Sequence, residues 1–234
     1  MLKVELHSHT ADDPHDRIPY SAEQLIDRAA ALSYDGLAVT LHDRQLDVAR
    51  LAPYAAKRGI VLIPGIERTV SGKHVLLLNF TREAEDVRSF ADLAALKERQ
   101  PRGLVVAPHP YFPALSCLWG LLDDHASVFD AVEVNAMFTE AVDFNAPARR
   151  WAQANGKPLV GNGDVHRLSQ LATTYSLVDA EPTADAICAA IAAGRVTVEA
   201  SPLSWPTVGR LLTDLVVSSV LPGQAPGAWS PEPG

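Results

Sequence analysis

An α/β barrel is the fold class this sequence predicts, and three observations carry the prediction. Strand-like and helix-like segments alternate about seven times with no linker between them, the pattern of a mostly parallel sheet wrapped by helices. The chain has 234 residues without a composition break before its Pro- and Gly-rich end, a length normal for one barrel. Histidines and acidic residues fall just past the strand patterns, where barrels carry their functional groups.

The first strand spans 2–7 and runs into Leu6-His7-Ser8-His9-Thr10. Residues two apart on an extended chain point to one face, so both imidazoles can aim at one ion. The next loop, Asp12-Asp13-Pro14-His15-Asp16, is dense in metal-ligating types. Ser21 and Gln24 form a capping box, followed by Leu25, Ile26, Ala29 and Ala30 at helical period. The second strand covers 36–40, with His42 just past its end. A helical stretch with Leu46 and Leu51 is interrupted by Pro53 and closed by Gly59. Strand three covers 60–63, breaks at Pro64-Gly65 and resumes at Ile66-Glu67. Ser71-Gly72-Lys73 predicts a hairpin turn between 68–70 and 74–80. A helix around 85–99 precedes a strand at 103–107 that ends in Pro108-His109-Pro110. Residues 111–130 are rich in aromatic and apolar types and show no assignable period.

A strand at 131–135 and a helix near 145–154 follow. The next strand, 158–161, runs into Asn162-Gly163-Asp164-Val165-His166, which repeats the two-apart spacing of the opening pair. A short strand at 174–178, a helix capped by Thr183 and closed by Gly194, and a strand at 196–199 complete the pattern. The stretch 208–220 is expected to be helical and to pack on the barrel or on a second subunit, leaving 222–234 as a flexible tail. The expected organisation is one domain over 1–221, with its chemistry in 5–166 and a packing segment from 170 to 221.

Composition excludes several classes. The formal net charge is −8, and no basic run is longer than Arg149-Arg150, so no nucleic-acid partner is expected. No apolar run approaches the ~20 residues of a membrane helix, and the N-terminus lacks a signal-peptide core; a cytoplasmic protein is expected. Cys117 and Cys188 are far apart in sequence, lie among apolar residues and read as buried free thiols.

Of the eight histidines, His7, His9, His15, His42, His74, His109 and His166 lie at strand ends, in the loops after them or in a hairpin strand. Glu67 and Asp164 also fall at strand ends. Imidazole and carboxylate together suit Zn, Mn or Fe. His125, beside Asp123 and Asp124, is read as structural.

The motifs resemble those of the polymerase-and-histidinol-phosphatase (PHP) superfamily. They are Glu5-Leu6-His7-Ser8-His9-Thr10, the run from Leu37 to Asp43, Ile63-Pro64-Gly65-Ile66-Glu67, His74 to Leu78, Ala107-Pro108-His109-Pro110, Glu133-Val134-Asn135 and Gly161 to His166. The resemblance implies a distorted (βα)7 TIM-like barrel with two to three divalent ions at the C-terminal ends of its strands. It implies that His7, His9, Glu67 and Asp164 hold the first ion, and that Glu67 bridges to a second, completed by His74 and His109. A third would take His15, His42 and His166, with Asp13 and Asp16 as rivals for the loop ligand. Leu41 and Gly163 depart from the family pattern beside ligands without replacing any, so they alter the surroundings that orient those ligands.

The reaction implied is hydrolysis of a small phosphomonoester by hydroxide that the ions make available at neutral pH, with Glu67, Asp164 and His166 at its centre. Arg17 and Arg167 are the candidate phosphate contacts, and Arg167 could also assist the reaction. Two other classes fit less well. One is a hydrolase of C–N or C–O bonds, which often uses a bridging Lys that this chain lacks at a strand end. The other is a non-catalytic or nuclease-like PHP domain. A homo-oligomer is compatible with the sequence.

Overall fold

Most strands in the computed structural model of the chain are short, apolar and buried at their centres, and together the strands curl into a nearly closed barrel. The structure describes residues 1–209 together with Leu211 and Thr213. The strands are β1 (Leu2–Glu5), β2 (Gly36–Val39), β3 (Val61–Val70), β4 (Lys73–Leu78), β5 (Leu104–Ala107), β6 (Ala131–Asn135), β7 (Leu159–Asn162), β8 (Thr174–Val178) and β9 (Val196–Ala200). The helices are α1 (Ala22–Ala31), α2 (Val48–Ala56), α3 (Phe90–Arg99), α4 (Leu121–Asp124), α5 (Asn145–Ala154) and α6 (Ala184–Ala192). Most of the expected helix at 208–220, and all of the 222–234 tail, lie outside the described residues.

The sheet order is β7-β6-β5-β4-β3-β2-β1-β8-β9. Parallel pairing joins β1–β2, β2–β3, β5–β6 and β6–β7. The remaining pairs, β3–β4, β4–β5, β1–β8 and β8–β9, are antiparallel. The sheet is therefore less parallel than the sequence pattern predicts. The reason is local: a tight Ser71-Gly72 hairpin returns β4 beside β3, and the connection that carries α6 returns β9 beside β8.

Closure is made without a backbone ladder between the end strands. Gly161 N donates to Ser176 Oγ at 2.9 Å, and that hydroxyl donates to Gly161 O at 3.1 Å. A Cβ at Gly161 would sit 2.7 Å from Tyr175 O, so only glycine lets β7 approach the β8–β9 hairpin this closely. Higher up, the chain beyond β1 meets the chain beyond β7 directly: Ser8 bridges Val165 in parallel, and His9 N donates to Val165 O at 3.0 Å.

One core fills the barrel. Val4, Ala38, Ile63, Leu76, Val106 and Val160 point inward and meet Ile187, Cys188 and Ile191 of α6. That helix plugs the end where strands β1 and β2 begin, as the 3.4 Å approach of Ile187 Cδ1 to a Cβ built at Gly36 shows. Two outer cores pack α1 and α2 on one flank and α3 and α5 on the other.

Three local expectations change. Pro64-Gly65 does not break β3, which runs through both; a Cβ at Gly65 would lie 2.9 Å from Thr40 Cγ2, so the glycine permits close pairing with the chain after β2. Pro53 lies inside α2 rather than interrupting it. The helix predicted over 85–99 begins at Phe90, where Ser89 and Asp92 form a capping box after a 3₁₀ turn at Arg82–Asp86. Residues 111–130 contain only α4, and His125 stacks on Phe90 at 3.9 Å, a packing role.

Candidate metal centre

The extended chain after β1 is held from both sides. Thr40 N donates to Ser8 O at 2.7 Å on one side, and Val165 N donates to His7 O at 3.1 Å on the other. His7 and His9 thereby project from a clamped strand end, and both are fully buried. His42 and Glu67 are bridge partners in parallel, with Asp43 N donating to Glu67 O at 2.9 Å. His74 comes from β4, His109 follows β5, and Asp164 and His166 follow β7. Asp43, His109 and Asp164 all have positive φ, at 55°, 27° and 48°. Such backbone is costly for residues with a Cβ and clusters at functional sites.

Glu67 is the hub. Its Oε2 lies 3.2 Å from His7 Nε2, 3.4 Å from His9 Nε2 and 3.2 Å from His42 Nε2. Its Oε1 lies 2.7 Å from His74 Nδ1 and 3.3 Å from His109 Nε2. Asp164 Oδ1 lies 3.4 Å from His7 Nε2, 3.6 Å from His9 Nε2 and 3.4 Å from His166 Nδ1. Asp16 Oδ2 joins His166 Nε2 at 3.1 Å and His42 Nδ1 at 3.5 Å.

In the loop after β1, Asp13 and Asp16 both join His9 and His42 in a group of possible ligands, and His15 does not. Asp13 Oδ1 accepts from the backbone N–H of His15 and Asp16, at 2.8 and 3.0 Å, and this turn aims Asp16 inward. His15 faces outward, its side chain 54% exposed, with its Nε2 4.0 Å from Asp43. It stacks on His42 at 5.6 Å but joins none of the ligand groups. Asp13 itself sits behind the rings: its Oδ2 accepts from His9 Nδ1 at 2.9 Å and from His42 Nδ1 at 3.1 Å. Arg167 lies beside the site and donates to His166 O at 3.0 Å. Arg17 is exposed on the loop after β1.

Two carboxylates, Glu133 and Glu5, belong to the motifs read from the sequence but carried no assigned role there. Glu133 is fully buried, and its Oε2 accepts from His7 Nδ1 at 2.8 Å and from Asn162 Nδ2 at 2.9 Å. Glu5 is fully buried and accepts from the N–H groups of His7 and Gly163, each at 3.0 Å. Their signal was a charge inside an otherwise apolar strand. Cys117, also buried, places its Sγ 3.4 Å from His109 Nδ1.

The donor set fits divalent ions. His9 Nε2 is buried and finds no hydrogen-bond partner, an orphan that a bound cation would satisfy. The groups His7–His9–Glu67, His9–Asp164–His166 and His42–Glu67–His74 each bring ligand atoms within 4.8 Å of one another. Carboxylates on the far ring nitrogens of His7 and His9 leave Nε2 as the ligand atom, the arrangement by which outer partners orient metal-binding histidines.

Without ions the charges lean on one another. Burial works against a charged His7, but Asp164, Glu133 and Glu67 outweigh it and push its pKa well above the usual value. Burial likewise opposes charge on His42, yet its bond to Asp13 and the charge of Glu67 raise it to about 9. Burial favours the neutral carboxyls, but the facing histidines hold Glu67 and Asp164 well below the ordinary carboxylate range. Glu5 goes the other way: burial pushes it up to about 8, against the backbone donors of Gly163 and His7.

The fold is shared with several solved structures. A two-domain protein from Bacteroides vulgatus, described as containing a predicted PHP-like metal-dependent phosphoesterase, superposes with a TM-score of 0.65 at 18% identity, covering 92% of this chain and 69% of that one. PsfC from Pseudomonas syringae gives 0.64 at 16% identity, covering 93% and 98%. The lesion-specific endonuclease PfuEndoQ from Pyrococcus furiosus gives 0.58 at 15%, covering 84% and 57%. Residues 143–196 match the PHP_C family, described as PHP-associated. No curated protein matches the sequence. The family match and the shared fold bear out the resemblance to the PHP superfamily that the motifs carry.

Proposed function

We propose that this chain is a metal-dependent phosphoesterase that hydrolyses a small phosphorylated metabolite, a phosphomonoester. The observation that carries the reading is the division of Glu67: one oxygen faces His7, His9 and His42, the other His74 and His109. A carboxylate facing two separate imidazole sets is what two neighbouring ions require. Asp164 completes the first set, and Asp16 with His166 offers donors for a third. Two to three ions of Zn, Mn or Fe held there would neutralise phosphoryl oxygens and make hydroxide available near neutral pH.

The chain's own groups do the rest. Asp13 and Glu133 fix the rings of His9 and His7, so Nε2 faces the mouth. Arg167, beside His166, and Arg17, on the loop after β1, are the candidates to take phosphoryl oxygens. The same reading keeps one domain over 1–221, a cytoplasmic setting in which the buried Cys117 and Cys188 stay as thiols, and a second copy of the chain as an allowed partner.

Similarity to endonuclease Q raises a nucleic-acid substrate as the rival. The net charge of −8 weighs against it, because a polyanion must be held by a basic surface. A screen of phosphomonoesters, nucleotides, lesion-bearing DNA, amides and lactones with Mn or Zn added tests the proposal. Turnover of phosphomonoesters supports it. Turnover confined to DNA, amides or lactones refutes it.

A further inference from the structure

Beside the mouth, the loops after β5 and β6 leave a line of aromatic rings running out to solvent. Phe112, from the first loop, and Phe144, just before α5, bring their rings to 5.4 Å at a tilt of 54°. Phe112 in turn stands edge-on to His109 at 6.2 Å. Phe144 is 39% exposed, and Val142 beside it 40%. Single exposed apolar residues need no explanation, but a contiguous patch continuous with a polar cleft marks a binding surface. Packing does not demand this exposure, since α5 anchors itself through Ala148, Trp151 and Ala152.

Charge narrows the occupant. No Lys or Arg occurs between Arg102 and Arg149, whereas Glu140 and Asp143 lie close to Phe144 in the chain. Lys73 reaches the first loop from β4, but its Nζ is taken up by Leu115 O at 2.7 Å; the loops themselves offer a second phosphate or a carboxylate no cation and present acidic groups. A neutral, flat ring would find two aromatic faces.

We propose that Phe112 and Phe144 form the leaving-group subsite, and that it takes a neutral aromatic ring on the alcohol side of the ester. This rests on the phosphomonoesterase reading above and adds the chemical class of the group released.

The test compares benzyl phosphate with ethyl phosphate on the full chain loaded with Mn. Both esters release a primary alcohol, so the ring is the main difference. Wild-type kcat/KM should favour the benzyl ester by about tenfold, and Phe112→Ala and Phe144→Ala should each cut that ratio about threefold or more. Both esters are read on one preparation, so a loss of folded protein cancels in the ratio. Phe144→Leu, which keeps apolar volume, serves if the alanine variant does not fold. A wild-type ratio near one, or a ratio that neither variant changes, overturns the subsite and leaves the phosphatase reading standing. Hydrolysis of neither ester overturns both.

Discussion

His9 Nε2 stands 3.6 Å from Asp164 Oδ1, joining the end of the first strand to the turn after the seventh. The contact follows from closure of the barrel mouth, where Ser8 and Val165 pair in parallel. The two histidine motifs with two-residue spacing therefore lie side by side at one mouth. Predictions follow from what each residue there touches.

Removing either central carboxylate should remove the chemistry. Asp164→Ala and Glu67→Ala are expected to bring turnover of an aryl phosphate to background and to lower bound metal, while thermal unfolding by circular dichroism stays cooperative. Activity that survives either change contradicts the mechanism.

Glu133→Gln tests the carboxylate behind His7. It keeps the shape and the bond to Asn162 within reach but weakens the pull on His7 Nδ1. Metal affinity should fall about 10- to 100-fold, as for other outer-shell changes. Titration of the apoprotein with Zn measures it, and unchanged affinity would deny Glu133 this role.

The pH dependence has a definite direction. The raised pKa of His42 gives the ion-free protein stability that is complete below the ordinary value of 6.5 and is lost as pH rises through about 9. His7 acts in the same sense, and Glu5, held protonated up to about 8, also destabilises the fold as it ionises. Glu67 and Asp164 contribute stability that is lost only on acidification below the ordinary carboxylate range. In a chelator, Tm should therefore fall from pH 6.5 to 9. With Zn or Mn the gap to the ion-free Tm should widen across the same window, because ions bind the deprotonated rings. An ion-free Tm that rises over this window would refute the account.

Gly161→Ala probes closure rather than chemistry. The new methyl would meet Tyr175 O at 2.7 Å and Val198 Cγ1 at 2.8 Å. Chemical denaturation should show a loss of about 1–3 kcal/mol, the usual cost of overpacking. No loss would mean that β7 can move away from the hairpin freely.

Sequence periodicity located most strands and helices, because apolar spacing and caps such as Ser21 are local signals. It foresaw the β3–β4 hairpin from Ser71-Gly72-Lys73, but it could not tell that β8 pairs antiparallel with β1, since β8 looks like its parallel neighbours in composition. The ligand types were legible for a similar reason: His7 and His9, or Asp164 and His166, share a face by spacing alone. His15 and Asp16 were not separable, because their directions depend on Asp13 Oδ1 capturing two backbone N–H groups. Glu133 lies far from His7 in sequence, and only the closed barrel makes them partners at 2.8 Å. Phe112 and Phe144 lay in or beside stretches with no readable period, and their pairing is a property of two loops meeting.

Metal analysis of the purified chain, reconstituted with Zn or Mn and freed of excess ion, tests the central claim most directly. Two to three equivalents per chain are expected, falling by at least one in Asp164→Ala. Less than one equivalent in the wild-type protein would contradict the assignment of this mouth as a metal centre.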